Sequence, residues 1–285
     1  MSRSTLLALL MTVPLATIAL EASAGHADSE KPTVILVHGA FADASSWDKV
    51  AARLTKRGLP VVAVDNPLTS LEDDVAATRR AIAAAPGKVV LVGHSWGGTV
   101  ITQAGDDPKV GALVYVAAFA PDAGQTSAQQ GEHFPVAPGL QRLQEHGGFL
   151  SLSQETVASD FAQDLGPAEA RQVFEHQLPL KATALSEPVR VAAWKSKPSW
   201  YVISREDRML SPQLQAATAS RIGAHTRTVA ASHVSLLSAP RGVADAILEA
   251  SGLKSPEDIP PATKTAGDDH SRATIIMRGQ MPSDR

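Results

Sequence analysis

The chain has 285 residues and a formal net charge of −3 at pH 7, which suits a single α/β domain of ordinary globular composition. Its 26 basic and 29 acidic residues leave no excess of positive charge, so we expect no nucleic-acid partner. The absence of cysteine excludes disulfide frameworks, thiol nucleophiles and thiolate metal sites.

The N-terminus has the order of a secretory signal. Arg3 precedes an apolar stretch at 6–20, and the small residues Ala-Ser-Ala follow at 22–24. The apolar stretch is shorter than the ~20 residues that span a bilayer. We therefore predict a signal peptide at 1–24, with a second possible cut after Ala27. The chain is then exported to the periplasm or the medium, without a stable membrane span after cleavage.

Strands and helices alternate along the predicted domain at 30–253. Apolar runs that end in glycine or Asn-Pro predict buried strands, and amphipathic segments between them predict helices. The strands are expected at 33–39, 59–67, 88–93, 110–120, 199–204 and 225–231, and the helices at 46–58, 70–87, 95–105, 211–223 and 240–251. This alternation predicts an α/β fold in which a mostly parallel sheet carries helices on both faces.

The alternation stops between about 121 and 197. Residues 138–148 and 153–177 have the pattern of short helices, so we expect a helical lid insertion over a site. Beyond the domain, residues 254–285 are rich in polar residues and proline. That composition predicts a mostly disordered tail.

The stretch "VVLVGHSWGGTV" at 89–100 combines a buried strand with a G-x-S-x-G motif. Gly93 and Gly97 flank Ser95, and a predicted helix follows at once. A sharp strand–helix turn of this kind exposes a serine hydroxyl at the carboxyl edge of the sheet. Ser95 is therefore the candidate nucleophile.

A serine needs a base to take its proton and an acid to orient that base. His233 follows the last predicted strand, in a loop that can return over Ser95. Asp207 follows the strand before it and is the favoured acid. Glu206 is adjacent to it, and Asp122, after an earlier strand, is a competing position.

Two backbone N–H groups are expected to form an oxyanion hole. One belongs to Trp96, directly after the nucleophile, and the other belongs to Ala40 or Phe41 in the loop after the first strand. Gly39 allows that loop to approach closely. Phe41 and Trp96 are also the residues expected to touch the substrate. No carboxylate–histidine cluster has ligand spacing, so no metal is expected.

These motifs resemble the α/β-hydrolase superfamily from Thr33 to about Ser251. The resemblance rests on "VILVHGAF", "VVLVGHSWGG", "YVISREDRMLSP" and "ASHVSLLSAP", which occur in that order. "LVHGAF" with "SHVSLLSAP" is similar to the methylesterase and hydroxynitrile-lyase branch, which includes bacterial esterases. The resemblance implies small ester substrates, a helical lid and no cofactor, and Ala40 matches the second oxyanion donor of that branch.

The hydroxynitrile lyases of that branch carry a lysine soon after the catalytic histidine and a threonine after the first-strand histidine. Val234 and Gly39 occupy those places here, which argues against cyanohydrin cleavage. The function expected first is therefore a serine esterase that acts on a small-molecule ester. A cofactor-free C–C hydrolase or lyase, a haloperoxidase-like perhydrolase and a non-catalytic binding protein are the alternatives.

Overall fold

The computed structural model describes residues 31–253, so the predicted signal peptide and tail lie outside the described residues. Within that range, the strands are β1 (Thr33–Val37), β2 (Val61–Val64), β3 (Val89–His94), β4 (Val110–Val116), β5 (Gln144–His146), β6 (Phe149–Ser151), β7 (Leu180–Lys181), β8 (Ser199–Ser204) and β9 (His225–Val229).

Five of the described helices alternate with the strands of the main sheet as predicted, three lie within the insertion, and one short helix precedes the last. These helices are α1 (Asp48–Lys56), α2 (Leu71–Ala84), α3 (Trp96–Ala104), α4 (Ser127–Gln130), α5 (Gln154–Thr156), α6 (Pro167–Glu175), α7 (Pro212–Arg221), α8 (Ser235–Ser238) and α9 (Pro240–Ala250). A π-helical turn at Val157–Phe161 continues α5. None of these helices, all within residues 31–253, combines the length and apolar character needed to cross a membrane.

Six strands form one parallel sheet in the order β2-β1-β3-β4-β8-β9, which confirms the predicted fold class. All residues of β1 and β3 are buried, because helices cover both faces of a parallel sheet. The helix pair α1–α9 and the pair α2–α3 provide this cover.

The strand order reverses between β1 and β3, and this reversal positions the site. From β1 the chain crosses to β2 on one side, and later returns as β3 on the other side. Val37 at the end of β1 is level with Gly93 of β3, so the loops that follow these strands meet at the carboxyl edge. Ligand sites of open α/β sheets form at such a switch point.

The insertion is more than the helical lid expected from the sequence, because β5, β6 and β7 form a small antiparallel sheet within it. The helix predicted at 138–148 is wrong. That segment holds a 3-10 turn at Pro138–Arg142 and then β5. Gly147 and Gly148 have positive φ angles of 58° and 78° and make a two-residue hairpin turn between His146 and Phe149.

Gly98 allows helix α3 to lie against the loop that follows β4. A Cβ atom at this position would overlap the Phe119 carbonyl and would lie 2.7 Å from the Cβ of Ala118. We predict that Gly98→Ala lowers the free energy of unfolding by about 1–3 kcal/mol, as overpacking of a core does. Urea denaturation measures this change.

Gly111→Ala is the matched control for that measurement, because its added Cβ would meet nothing closer than the Val89 carbonyl at 3.8 Å. Equal stability of the two variants would contradict the close packing of α3.

Candidate active site

Ser95 occupies a strained turn between β3 and α3. Its φ is 52° and its ψ is −119°, a conformation that an L-residue keeps only when its surroundings enforce it. The Ser95 N–H donates to the Val116 carbonyl at 3.1 Å, and the Phe119 N–H donates to the Ser95 carbonyl at 3.2 Å. A Cβ atom at Gly93 would overlap the Gly97 carbonyl, which explains why this turn needs glycine there.

Asp207 and His233 meet although 26 positions separate them in the sequence. The Nδ1 atom of His233 lies 2.7 Å from Oδ2 of Asp207, and both side chains are buried. Oδ1 of Asp207 accepts the N–H groups of Met209 and Leu210 at 2.7 and 2.8 Å, and Oδ2 accepts from the Gln215 amide at 2.7 Å. These donors fix the orientation of the carboxylate, and the carboxylate orients the imidazole.

The alternative acids lie elsewhere. Asp122 is paired with Lys195, with 2.5 Å between its Oδ1 and the ammonium nitrogen, and this hydrogen bond lowers the pKa of Asp122. Glu206 is exposed beside Asp207. Asp207 therefore forms the hydrogen bond to His233, and neither Asp122 nor Glu206 does so.

Ser95 and His233 line the same cavity, which has a volume of about 380 Å³ at the carboxyl edge of the sheet. Ala40, Phe41 and Trp96 line it as well, so all the predicted site residues except the orienting Asp207 border one space. Within residues 31–253, the structure contains no group of three side chains that could hold a metal ion.

The backbone N–H groups of Ala40 and Phe41, the two predicted alternatives for the second oxyanion donor, differ in their partners. The Phe41 N–H donates to the Leu178 carbonyl at 3.1 Å and is therefore occupied. The Ala40 N–H has no acceptor among residues 31–253. Trp96 is the first residue of α3, where a backbone N–H lacks an acceptor within its own helix. Ala40 and Trp96 therefore offer two donors beside Ser95.

Two further buried histidines, His38 and His94, hold backbone segments of the site. His38 is buried, donates from Nδ1 to the Gly39 carbonyl at 2.8 Å and accepts the Asn66 N–H at Nε2. It therefore holds the loop that carries Ala40. His94 lies 3.0 Å from the His233 carbonyl through Nε2, and burial lowers the pKa of His94 well below its usual value. A neutral His94 thus anchors the backbone of His233.

Asp74 supports the site although it belongs to no sequence motif. It is fully buried on α2, and its Oδ2 accepts the indole N–H of Trp96 at 2.7 Å while Oδ1 accepts the Leu68 N–H at 2.8 Å. Burial raises the pKa of Asp74 to about 6, and the two hydrogen bonds oppose that rise. In the sequence, Asp74 is one of three acidic residues in the first turn of a helix, so no local signal marks its contact with Trp96.

Comparisons with known proteins agree with this architecture. A family model described as "Alpha/beta hydrolase family" matches residues 34–246. "Probable hydrolase R7" of Phoma sp. is 27% identical over 252 residues, which cover 78% of this chain and 99% of that protein. "Esterase PIR7B" of Oryza sativa subsp. japonica is 33% identical over 181 residues, which cover 56% of this chain and 65% of that protein.

Among solved structures, that of polyneuridine aldehyde esterase superimposes with a TM-score of 0.70 at 22% identity. The superposition covers 78% of this chain and all of that one. At this level of identity the likeness concerns the fold.

The contact between Trp96 and Asp74 predicts a pH-dependent cost for Trp96→Phe. An acid whose pKa is raised in the folded state contributes less stability as the pH rises, here from the ordinary pKa of 3.8 to about 6. Without the indole N–H the ionised Asp74 carboxylate loses a hydrogen-bond donor. We therefore expect Trp96→Phe to lower the free energy of unfolding by about 1.5–3 kcal/mol at pH 7.5. The loss is smaller at pH 5, where Asp74 is mostly protonated.

Urea unfolding at the two pH values measures this difference. Trp194→Phe is the control, because it removes an indole N–H that donates to the neutral Pro121 carbonyl. If Trp96→Phe lowered the free energy of unfolding equally at both pH values, the Trp96–Asp74 hydrogen bond would not depend on the ionisation of Asp74, and the prediction would be wrong.

Proposed function

Because the chain belongs to the alpha/beta hydrolase family, we propose that it is a serine hydrolase that cleaves carboxylic esters of small molecules. The observation that carries the proposal is the buried His233–Asp207 pair, with 2.7 Å between Nδ1 and Oδ2, beside a cavity that Ser95 also lines. The esterase names among the relatives support the same reaction class.

In the proposed mechanism, Oγ of Ser95 attacks the ester carbonyl while Nε2 of His233 takes its proton. The C–O bond to the alcohol then breaks, and His233 returns the proton to the departing alkoxide. Water, deprotonated by the same imidazole, hydrolyses the acyl-enzyme and releases the acid. Asp207 keeps the imidazole in the required tautomer and stabilises its charged form.

The backbone N–H groups of Ala40 and Trp96 stabilise the oxyanion in this proposal. They belong to rigid elements, since Trp96 opens α3 and Ala40 lies in the loop that His38 and the Phe41–Leu178 bond hold. One such donor contributes roughly 10²–10³ in rate in related chemistry.

The lining of the cavity supports an uncharged, apolar substrate. Most of its described lining residues are apolar, and the ionisable ones are His233 and Glu132. Val136 and Leu140 also line the cavity. They are 63% and 40% exposed, so apolar surface of the lining faces solvent. Phe41 and Trp96 are the proposed substrate contacts nearest the reacting carbonyl.

The first test is turnover of p-nitrophenyl esters from acetate to octanoate. We expect wild type to hydrolyse them and Ser95→Ala to lose at least about 10³ of the rate, because the nucleophile is gone. Ser127→Ala is the control, since Ser127 lines the same cavity and its hydroxyl is bonded to Thr99. Inactive wild type that is well folded, or turnover that survives in Ser95→Ala, would contradict the proposal.

The charge of Glu132 predicts discrimination against anionic esters. We expect Glu132→Gln to raise kcat/KM for monoethyl adipate by about twofold to fivefold, the range of exposed charge interactions, and to leave that for diethyl adipate unchanged. The gain should shrink in 0.5 M salt. Glu145→Gln is the control, because Glu145 is exposed on β5 and does not line the cavity. An equal change for both esters would contradict the prediction.

A further inference from the structure

One segment of the lid contacts both loops that carry the proposed acid and base. This segment, called here the clamp, spans residues 157–164. It begins with the π-helical turn Val157–Phe161 and ends shortly before α6. The Ala162 N–H closes the turn by donating to the Val157 carbonyl at 2.8 Å. Single π turns within helices are frequent at functional sites.

The clamp holds the acid loop on both sides of Asp207. Oδ1 of Asp160 accepts from Nε of Arg208 at 2.6 Å. The side-chain amide of Gln163 donates to the Glu206 carbonyl at 2.7 Å. Because Glu206 and Arg208 are the two neighbours of Asp207 in the chain, these bonds limit the movement of the carboxylate between them.

Asp160 is a fixed anchor for this loop. Its side chain is completely buried, and it also accepts from the Ser159 hydroxyl at 2.7 Å and from Arg142 at 3.0 Å. Burial opposes its ionisation, but the hydrogen bonds from Ser159, Arg208 and Arg142 together lower the pKa of Asp160. The charged Asp160 lies between Arg142 of the lid and Arg208 of the acid loop, and its bond to Arg208 ties the lid to the domain.

The clamp holds the base loop as well. Oδ2 of Asp164 accepts the backbone N–H of Ser232 at 2.8 Å, and Ser232 directly precedes His233. The ring of Phe161 lies 5.4 Å from the imidazole of His233 and 6.3 Å from the ring of Phe41. Because Ser232 is fully buried, removal of the Asp164 side chain would leave the Ser232 N–H without a hydrogen-bond acceptor.

We propose that the clamp positions the catalytic acid and base, and that Asp164 is a positioning residue that sets the place of His233 through the Ser232 N–H. This inference rests on the proposed function.

The test compares Asp164→Ala and Asp164→Asn in p-nitrophenyl butyrate hydrolysis between pH 5 and 9. We expect Asp164→Ala to lower kcat about tenfold with KM within twofold of wild type, because a small displacement of a catalytic group lowers the rate without loss of binding. Asp164→Asn keeps an oxygen that can accept the Ser232 N–H, so it should restore most of kcat.

Gln177→Ala is the matched control, because the Gln177 side chain bonds the Leu152 backbone wholly within the lid. We expect it to keep wild-type kcat. If Asp164→Ala does not fold, Gln163→Ala tests the acid side, where the same loss of kcat at unchanged KM is expected.

Wild-type kcat in Asp164→Ala, no rescue by Asp164→Asn, or an equal loss in Gln177→Ala would overturn the inference. Failure of the proposed function itself is a different result: wild type and Ser95→Ala would then be equally inactive in the same assay.

Discussion

Ser95 has a positive φ of 52°, and this strained backbone conformation persists because neighbouring groups enforce it by hydrogen bonds and close packing. The Val116 carbonyl and the Phe119 N–H hold it from the side of β4. Gly97 must be glycine as well, since a Cβ atom there would overlap the Val37 carbonyl at the end of β1. The end of β1, the loop after β4 and the turn itself therefore fit together only in one arrangement, and that arrangement presents the hydroxyl to the cavity.

Hydrogen bonds hold other parts of the candidate site beside that turn, and two of them are buried. Asp74 holds the Trp96 indole, and His94 bonds the His233 carbonyl. The lid adds the contacts of Asp160 and Asp164 to the two loops at the far end of the sheet. Preorganisation of this kind is what the proposed chemistry requires, because dipoles already in place cost no reorganisation during reaction.

The sequence predicted those features that depend on local pattern. The glycines around Ser95 and the apolar runs of the main sheet carry strong local signals, and the structure has the parallel sheet they imply. Contacts between distant parts of the chain could not be predicted from local pattern. β7 pairs with β6 across about 30 residues, and no residue near Asp74 in the sequence indicates that Trp96 is its partner. The hairpin at Gly147–Gly148 is different, because two consecutive glycines are a local turn signal and the helix predicted at 138–148 conflicts with it.

Ser95 is the proposed activated nucleophile of this site. The most direct measurement is peptide mapping by mass spectrometry after brief exposure to a fluorophosphonate, which reacts with activated serine hydroxyls. We expect one phosphonyl group per chain, on the peptide that contains Ser95, and much slower labelling when His233 is replaced by alanine. Labelling of another serine, or a rate that does not depend on His233, would contradict this proposal.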